Sequence, residues 1–247
     1  MKKTLLMAAA ALAASVITSN AGVYSQNIVG YANLPAPSGN SLLACQFVMG
    51  VSNGVNEVFG ENLPPGSEIL TYNGSGYNIA LFDNSNGAGT PEWYYGDDQT
   101  PLPSLPTLSP GQGFFLVANG KCTNTFAGAI AINVGTSNNM TLSAGNHLVG
   151  CPVPYAGLVT NGNPVTAAGG PNLNNLPPGT ELLFYVNGGY NIALFDNSNG
   201  AGTPNWYYGD DQTPYVDPST GGNVPTISVG QGFFIVPNGS YTWTVGL

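Results

Sequence analysis

The chain repeats itself. Residues 76–101 read GYNIALFDNSNGAGTPEWYYGDDQTP, and residues 189–214 read the same except that Asn205 stands where the first copy has Glu92. Self-similarity of this kind means that one structural unit is written twice. The match extends outward with more divergence. Asn62 to Gly66 corresponds to Asn175 to Gly179, Gly39 to Cys45 to Gly145 to Cys151, and Gly111-Gln112-Gly113-Phe114-Phe115 to Gly230-Gln231-Gly232-Phe233-Phe234. The chain therefore divides into residues 22–128 and 129–247, each of ordinary domain size. Thr123 to Val134 runs from one unit to the other without a flexible linker composition, which predicts that the units are closely docked.

Within each unit the local signals are strands and turns. Tyr77, Ile79 and Leu81 share one face by the period of two that strands impose. Ser67 to Tyr72 precedes them across Asn73-Gly74, a hairpin signal, and Leu183 to Tyr185 and Tyr190 to Phe195 repeat this around Asn187-Gly188-Gly189. Gly113 to Val117, Leu42 to Val48 and His147 to Val153 read as buried strands. Val55 to Phe59 hints at a helical turn. The expected fold is all-β: two tandem homologous sandwich- or barrel-like repeats with little helix.

Residues 1–21 read as an address. Lys2 and Lys3 precede an apolar run from Leu5 to Ile17, and Ser19-Asn20-Ala21 is a small-x-small site. This pattern predicts a Sec-type secretory signal cleaved after Ala21, and hence a secreted, cell-surface or periplasmic protein. No later run is long enough to span a membrane as a helix. Loss of Lys2 and Lys3 leaves Lys121 as the one basic residue against 12 acids, with no arginine anywhere. A protein that neutralises phosphates needs several such groups, so nucleic acid is excluded as a partner. The three cysteines, Cys45, Cys122 and Cys151, are an odd number, so at least one is unpaired within the chain. Cys45 and Cys151 sit in apolar strands and read as buried, inert thiols, although a Cys122–Cys151 bridge is open on sequence grounds.

The paired strands, the Phe-Asp-Asn-Ser-Asn-Gly segment with its following Trp, and the Gly-Gln-Gly-Phe-Phe turn-strand together resemble uncharacterised secreted two-repeat β proteins of Verrucomicrobia-type bacteria. That resemblance implies export and a β-repeat fold. It implies no activity and no site residues.

The identical block is where function is expected, because loops ordinarily drift faster than cores. One reading is a calcium site in each unit, from Asp83, Ser85 and Asn86 and from Asp196, Ser198 and Asn199. Calcium takes six to eight hard oxygens, and such a Gly-rich polar loop supplies them, but the spacing departs from an EF-hand and self-capped Asx turns explain the same residues. A second reading is glycan recognition by Trp93, Tyr94, Asp97, Asp98 and Gln99, with Trp206, Tyr207, Asp210, Asp211 and Gln212 as a second, equivalent site. These combine stacking rings with carboxylate and amide hydrogen-bonding groups. The competing reading places the Trp rings in the core. Enzyme readings are weaker. His147 corresponds to Ser41, no nucleophile elbow is present, and nothing in the spacing selects Glu68 with Asp97, or Glu181 with Asp210, as a hydrolytic pair. The sequence thus points to a non-enzymatic structural or adhesive protein of the cell exterior, with envelope or matrix components or an extracellular glycan as partner. Carbohydrate binding is the alternative and a polysaccharide-active enzyme the weaker third.

Overall fold

The computed structural model describes residues 29–84, 91–96, 100–132, 137–161, 170–197, 204–209 and 213–246. The predicted signal lies outside them. In the first half the chain forms β1 (Val29–Ala36), β2 (Gly39–Ala44), α1 (Val55–Phe59), β3 (Ser67–Tyr72), β4 (Tyr77–Asp83), β5 (Glu92–Tyr95), β6 (Gly113–Ala118) and β7 (Cys122–Ala129). In the second it forms β8 (Ser137–Leu142), β9 (His147–Gly150), β10 (Gly157–Leu158), β11 (Thr180–Val186), β12 (Gly189–Asp196), β13 (Asn205–Tyr208), β14 (Thr226–Ile227), β15 (Gly232–Val236) and β16 (Tyr241–Gly246). The protein is all-β, and its strand pairs are antiparallel. The five-residue α1 is the one helix among the described residues, so none there is long and apolar enough to cross a membrane.

Two five-stranded sheets carry the fold, ordered β2-β6-β3-β4-β5 and β9-β15-β11-β12-β13, with ribbons β1-β7 and β8-β16 beside them. Each ribbon packs over the inner face of one sheet. Leu34 of β1 and Phe126 of β7 meet Ile69, Phe82, Phe114 and Leu116. Leu142 of β8 and Trp243 of β16 likewise meet Leu182, Phe195, Phe233 and Ile235. This is the two-layer solution for a sheet with one apolar face, and each such side chain contributes about 1.5–3 kcal/mol on burial.

Helix α1 plugs the end of the first core with Val55, Val58 and Phe59, and the Phe59 ring sits edge-on to Phe114 and Phe126 at 5.7 and 5.6 Å. Its Glu57 carboxylate turns back to accept hydrogen bonds from the backbone N–H groups of Val51, Ser52 and Gly54 and from the Ser52 hydroxyl. Those N–H groups, led by Val51, hold its pKa down at about 2.

The strands expected over Leu42–Val48 and His147–Val153 end earlier, at Ala44 and Gly150. In the first half the reason is local: Cys45 leaves the ladder to exchange backbone hydrogen bonds with Gln112 and Gly111, the turn that enters β6. The hairpins also differ between halves. Asn73 Oδ1 accepts the N–H groups of Ser75 and Gly76 in a four-residue loop, whereas Asn187 and Gly188, both at positive φ, form a two-residue turn.

The halves dock through reciprocal contacts between corresponding residues. Ala44 N–H donates to the Gly230 carbonyl at 2.8 Å, and Gly150 N–H donates to the Gly111 carbonyl at 3.0 Å. Leu43 bridges to Gln231 as Val149 does to Gln112. The Gly-Gln-Gly-Phe-Phe motif is built for this contact. Its first glycine has positive φ, +89° at Gly111 and +73° at Gly230, a conformation that favours glycine. The glutamine amide oxygen accepts the N–H of Ser109 or Ser228 and fastens the turn. A Cβ on the second glycine would stand 2.9 Å from Val149 backbone atoms at Gly113 and 2.4 Å from the Leu43 carbonyl at Gly232. The first phenylalanine fills its own core, and the second faces the other half. Gln46, fully buried, ties the two halves again: it accepts from Gly230 N–H and donates to the Cys151 carbonyl.

At the centre of this contact Ala44 meets its own counterpart. A Cβ on Gly150 would lie 2.1 Å from the Ala44 Cβ, far inside the ~3.5–4.0 Å of carbon–carbon contact. Gly150→Ala should therefore destabilise the full chain by about 1–3 kcal/mol. Moving the methyl across the junction, in Ala44→Gly/Gly150→Ala, should recover most of that loss. Urea unfolding of the four chains of this cycle measures the coupling, and a double variant no better than Gly150→Ala would refute the contact. A second expectation concerns acid. Because the Glu57 pKa is depressed when folded, its contribution is complete above the usual carboxylate pKa of about 4.3 and fades as pH falls towards about 2. Glu57→Gln should lower the melting temperature at neutral pH, with the gap to wild type closing between those two values.

Candidate functional site: an aromatic cleft between the halves

The outer face of each sheet carries an apolar row across its strands. In the first half the row is Leu42, Phe115, Leu70 and Ile79, and in the second Leu148, Phe234, Leu183 and Ile192. Leu42, Phe115, Leu148 and Phe234 bury one another where the halves meet, with Leu70, Tyr72, Leu183 and Tyr185 packed around them. Further along the sheets the cover falls away: Ile79 is 37% exposed, Tyr77 38% and Tyr190 44%. The face that Tyr77, Ile79 and Leu81 share is thus this outer face, while Ala80 and Phe82 point into the core.

Six rings line the seam in matched pairs. Tyr185 stands edge-on to Phe115 at 5.5 Å, and Tyr72 edge-on to Phe234 at 5.6 Å. Tyr77 lies 5.4 Å from Tyr72, and Tyr190 5.5 Å from Tyr185. Each such pair adds about 0.5–1.5 kcal/mol beyond area burial. The rings leave a cleft of about 230 Å³ between Tyr77, Phe115, Tyr185 and Tyr190, with Asn40 at its edge. The Asn40 amide donates to the Tyr185 hydroxyl. Burial raises the Tyr77 phenol pKa, as does proximity to Tyr190 and Tyr72; burial and Tyr185 do the same for Tyr190.

Two larger cavities flank the cleft, of about 610 Å³ beside Asn40, Ser41, Tyr185 and Asn187 and about 710 Å³ beside Asn146, His147, Tyr72 and Asn73. Their linings correspond residue for residue at Asn40/Asn146, Ser41/His147 and Tyr185/Tyr72. Among the described residues no Asp, Glu, Lys or Arg lines any of the three spaces.

Those of the residues expected to bind that are described do not line this cleft. Trp93 and Trp206 are buried in the two cores, against Phe82 at 5.1 Å and Phe195 at 5.0 Å. Both rings thus pack as core residues, and Trp206 also borders a cavity of about 560 Å³ with Thr160, Asn174 and Asn175. Tyr94 and Tyr207 are buried too, and their hydroxyls lack a well-formed hydrogen bond to any described residue. Burial raises the Tyr94 phenol pKa, with the carboxylates of Glu92 and Asp83 adding to the effect. Asp83 and Asp196 end β4 and β12, half-buried and opposite Glu92 and Asn205 in the ladder. The one difference within the identical block therefore faces this aspartate. Ser85, Asn86, Asp97, Asp98 and Gln99, with Ser198, Asn199, Asp210, Asp211 and Gln212, lie outside the described residues.

His147 and the cysteines stand apart from the cleft. His147 Nε2 is 2.8 Å from the Ser143 carbonyl, at the start of β9. All three thiols are free, so Cys122 and Cys151 form no bridge. Cys45 and Cys151 are sealed from solvent, and burial raises both thiols, Cys151 to about 12. A thiol needs its thiolate form to react, so iodoacetamide on the native protein should label half-buried Cys122 and spare the other two. Mass spectrometry after digestion reads the difference. In comparisons with known proteins, no family model, curated protein or solved structure matches the chain.

Proposed function

We propose that this is an exported, non-catalytic β-repeat protein with a structural or adhesive role at the cell exterior, and that it engages its partner through the cleft between its halves. One observation carries the reading: Tyr77 and Tyr190 are half-exposed rings, contributed by corresponding positions, on a surface that both halves build together. A monomer ordinarily covers large rings, and clustered exposed ones mark contact surfaces. The reciprocal docking supports a fixed, load-carrying shape, because the seam is made of backbone hydrogen bonds and close-packed rings.

Co-sedimentation of the purified chain with the insoluble envelope fraction of its own source cells tests this. Wild type should pellet with the fraction, and Tyr77→Ala/Tyr190→Ala should stay in the supernatant while still folding cooperatively, its melting temperature lowered by the lost ring contacts. Pelleting that ignores both substitutions would remove the cleft from the reading. Hydrolytic turnover on a broad panel of polysaccharides, esters and peptides would overturn the non-catalytic role.

A further inference from the structure

We infer that the cleft takes one unit of an uncharged carbohydrate chain, bound at one site per protein molecule; this rests on the cleft being the contact surface proposed above. Three observations lead there. The first is chemical. Tyrosine rings dominate the cleft, with Leu70, Phe115 and Val117 beside them, and amides and hydroxyls stand around it: Asn40 in the lining, Asn187 in one neighbouring cavity, Asn73 and Asn146 in the other. A pyranose has an apolar C–H face that lies against a ring and equatorial hydroxyls that bond to amides around it. A purely apolar ligand would leave those margins unused.

The second observation is electrostatic. The chain carries 12 acidic residues, yet among the described residues no aspartate, glutamate, lysine or arginine lines the cleft or its flanking cavities. A uronate, sulfate or phosphate entering there would lose water and meet no lysine or arginine among the described residues, which is costly. The lining selects neutral sugars, and the net negative charge repels polyanions.

The third is size. The cleft measures about 230 Å³, less than the ~300–1,000 Å³ of pockets that enclose a whole small ligand. It adjoins the cavity of about 610 Å³, with which it shares Asn40 and Tyr185. Such a space holds one ring of a longer chain and leaves room for its neighbours. Because Tyr77 and Tyr190 come from different halves, the two halves make one site between them.

Affinity electrophoresis of the full chain tests the inference, with soluble neutral glucan, mannan, xylan and galactan in separate gels and polygalacturonate and dextran sulfate as charged probes. At least one neutral polymer should retard the protein, and neither polyanion should. Tyr77→Ala and Tyr190→Ala should each weaken retardation about tenfold, whereas Tyr77→Phe should weaken it less, because the ring remains. Titration with an oligosaccharide of the retarding polymer should give one site per chain. Retardation by no neutral polymer, by polyanions alone, or undiminished in both alanine variants would overturn the inference, and so would two equivalent sites. If sedimentation with the envelope still depended on Tyr77 and Tyr190 while every neutral polymer failed, the cleft would bind a protein instead, and only the carbohydrate assignment would fall.

Discussion

Ala44 and Gly150 occupy corresponding positions, and the structure presses them against each other. When two like surfaces meet about a two-fold relation, a residue at the centre must pack against its own counterpart. Here the space admits one methyl and no more. That limit propagates outward. The Gly230 and Gly111 carbonyls reach the partner strand because the backbones come this close, and Gly113 and Gly232 lack side chains because the opposing backbone already fills that volume. The Gly-Gln-Gly-Phe-Phe motif, which looks like a turn signature, is a docking device in which each position has a separate mechanical task.

Docking also solves a problem that each sheet has alone. The outer faces carry Leu42, Phe115 and Leu70 in one half and Leu148, Phe234 and Leu183 in the other. Left open, such rows are large apolar patches of the kind that cause association. Paired across the seam they form a third core between the two five-stranded sheets. The pairing is incomplete at its far edge, and the rings left half-covered there are those of the cleft. The candidate site is thus the unclosed margin of the surface that holds the halves together.

Much of the fold was legible in the chain. Period-two patterning marked β4, the Asn73-Gly74 turn signal set β3 before it, and a continuous apolar run marked β6; the five residues of α1 stood out from their surroundings, and the apolar flanks of Cys45 and Cys151 signalled their burial. The site was not legible, for a physical reason. Alternation says that Tyr77, Ile79 and Leu81 share a face, but not whether that face meets a core, another sheet or water. Both faces of these sheets are apolar, so composition alone could not separate the side of Phe82 and Trp93 from the side of Tyr77. Trp93 has the larger ring and the more suggestive acidic neighbours, yet alternation from Phe82 through their ladder pairing puts it inside. The clue that was present lay in Phe114-Phe115. Two adjacent phenylalanines in a strand point to opposite faces, so a strand with both buried must be covered on both sides.

The two halves each give the cleft the same exposed tyrosine and differ in what they place around it. Tyr77 and Tyr190 belong to the near-identical block, so the cleft presents the same ring from both sides. Its flanks differ: Ser41 lines one and His147 the other. The docking contact breaks the likeness again, with Ala44 against Gly150 and with Gln46 where the second half has Pro152. A perfect duplicate could not have packed so closely with alanine at the centre, and it would have ended its cleft in two equal margins. Divergence at a few positions near the seam therefore does two things at once. It lets the halves close on each other, and it gives a matched pair of ring walls two chemically distinct ends.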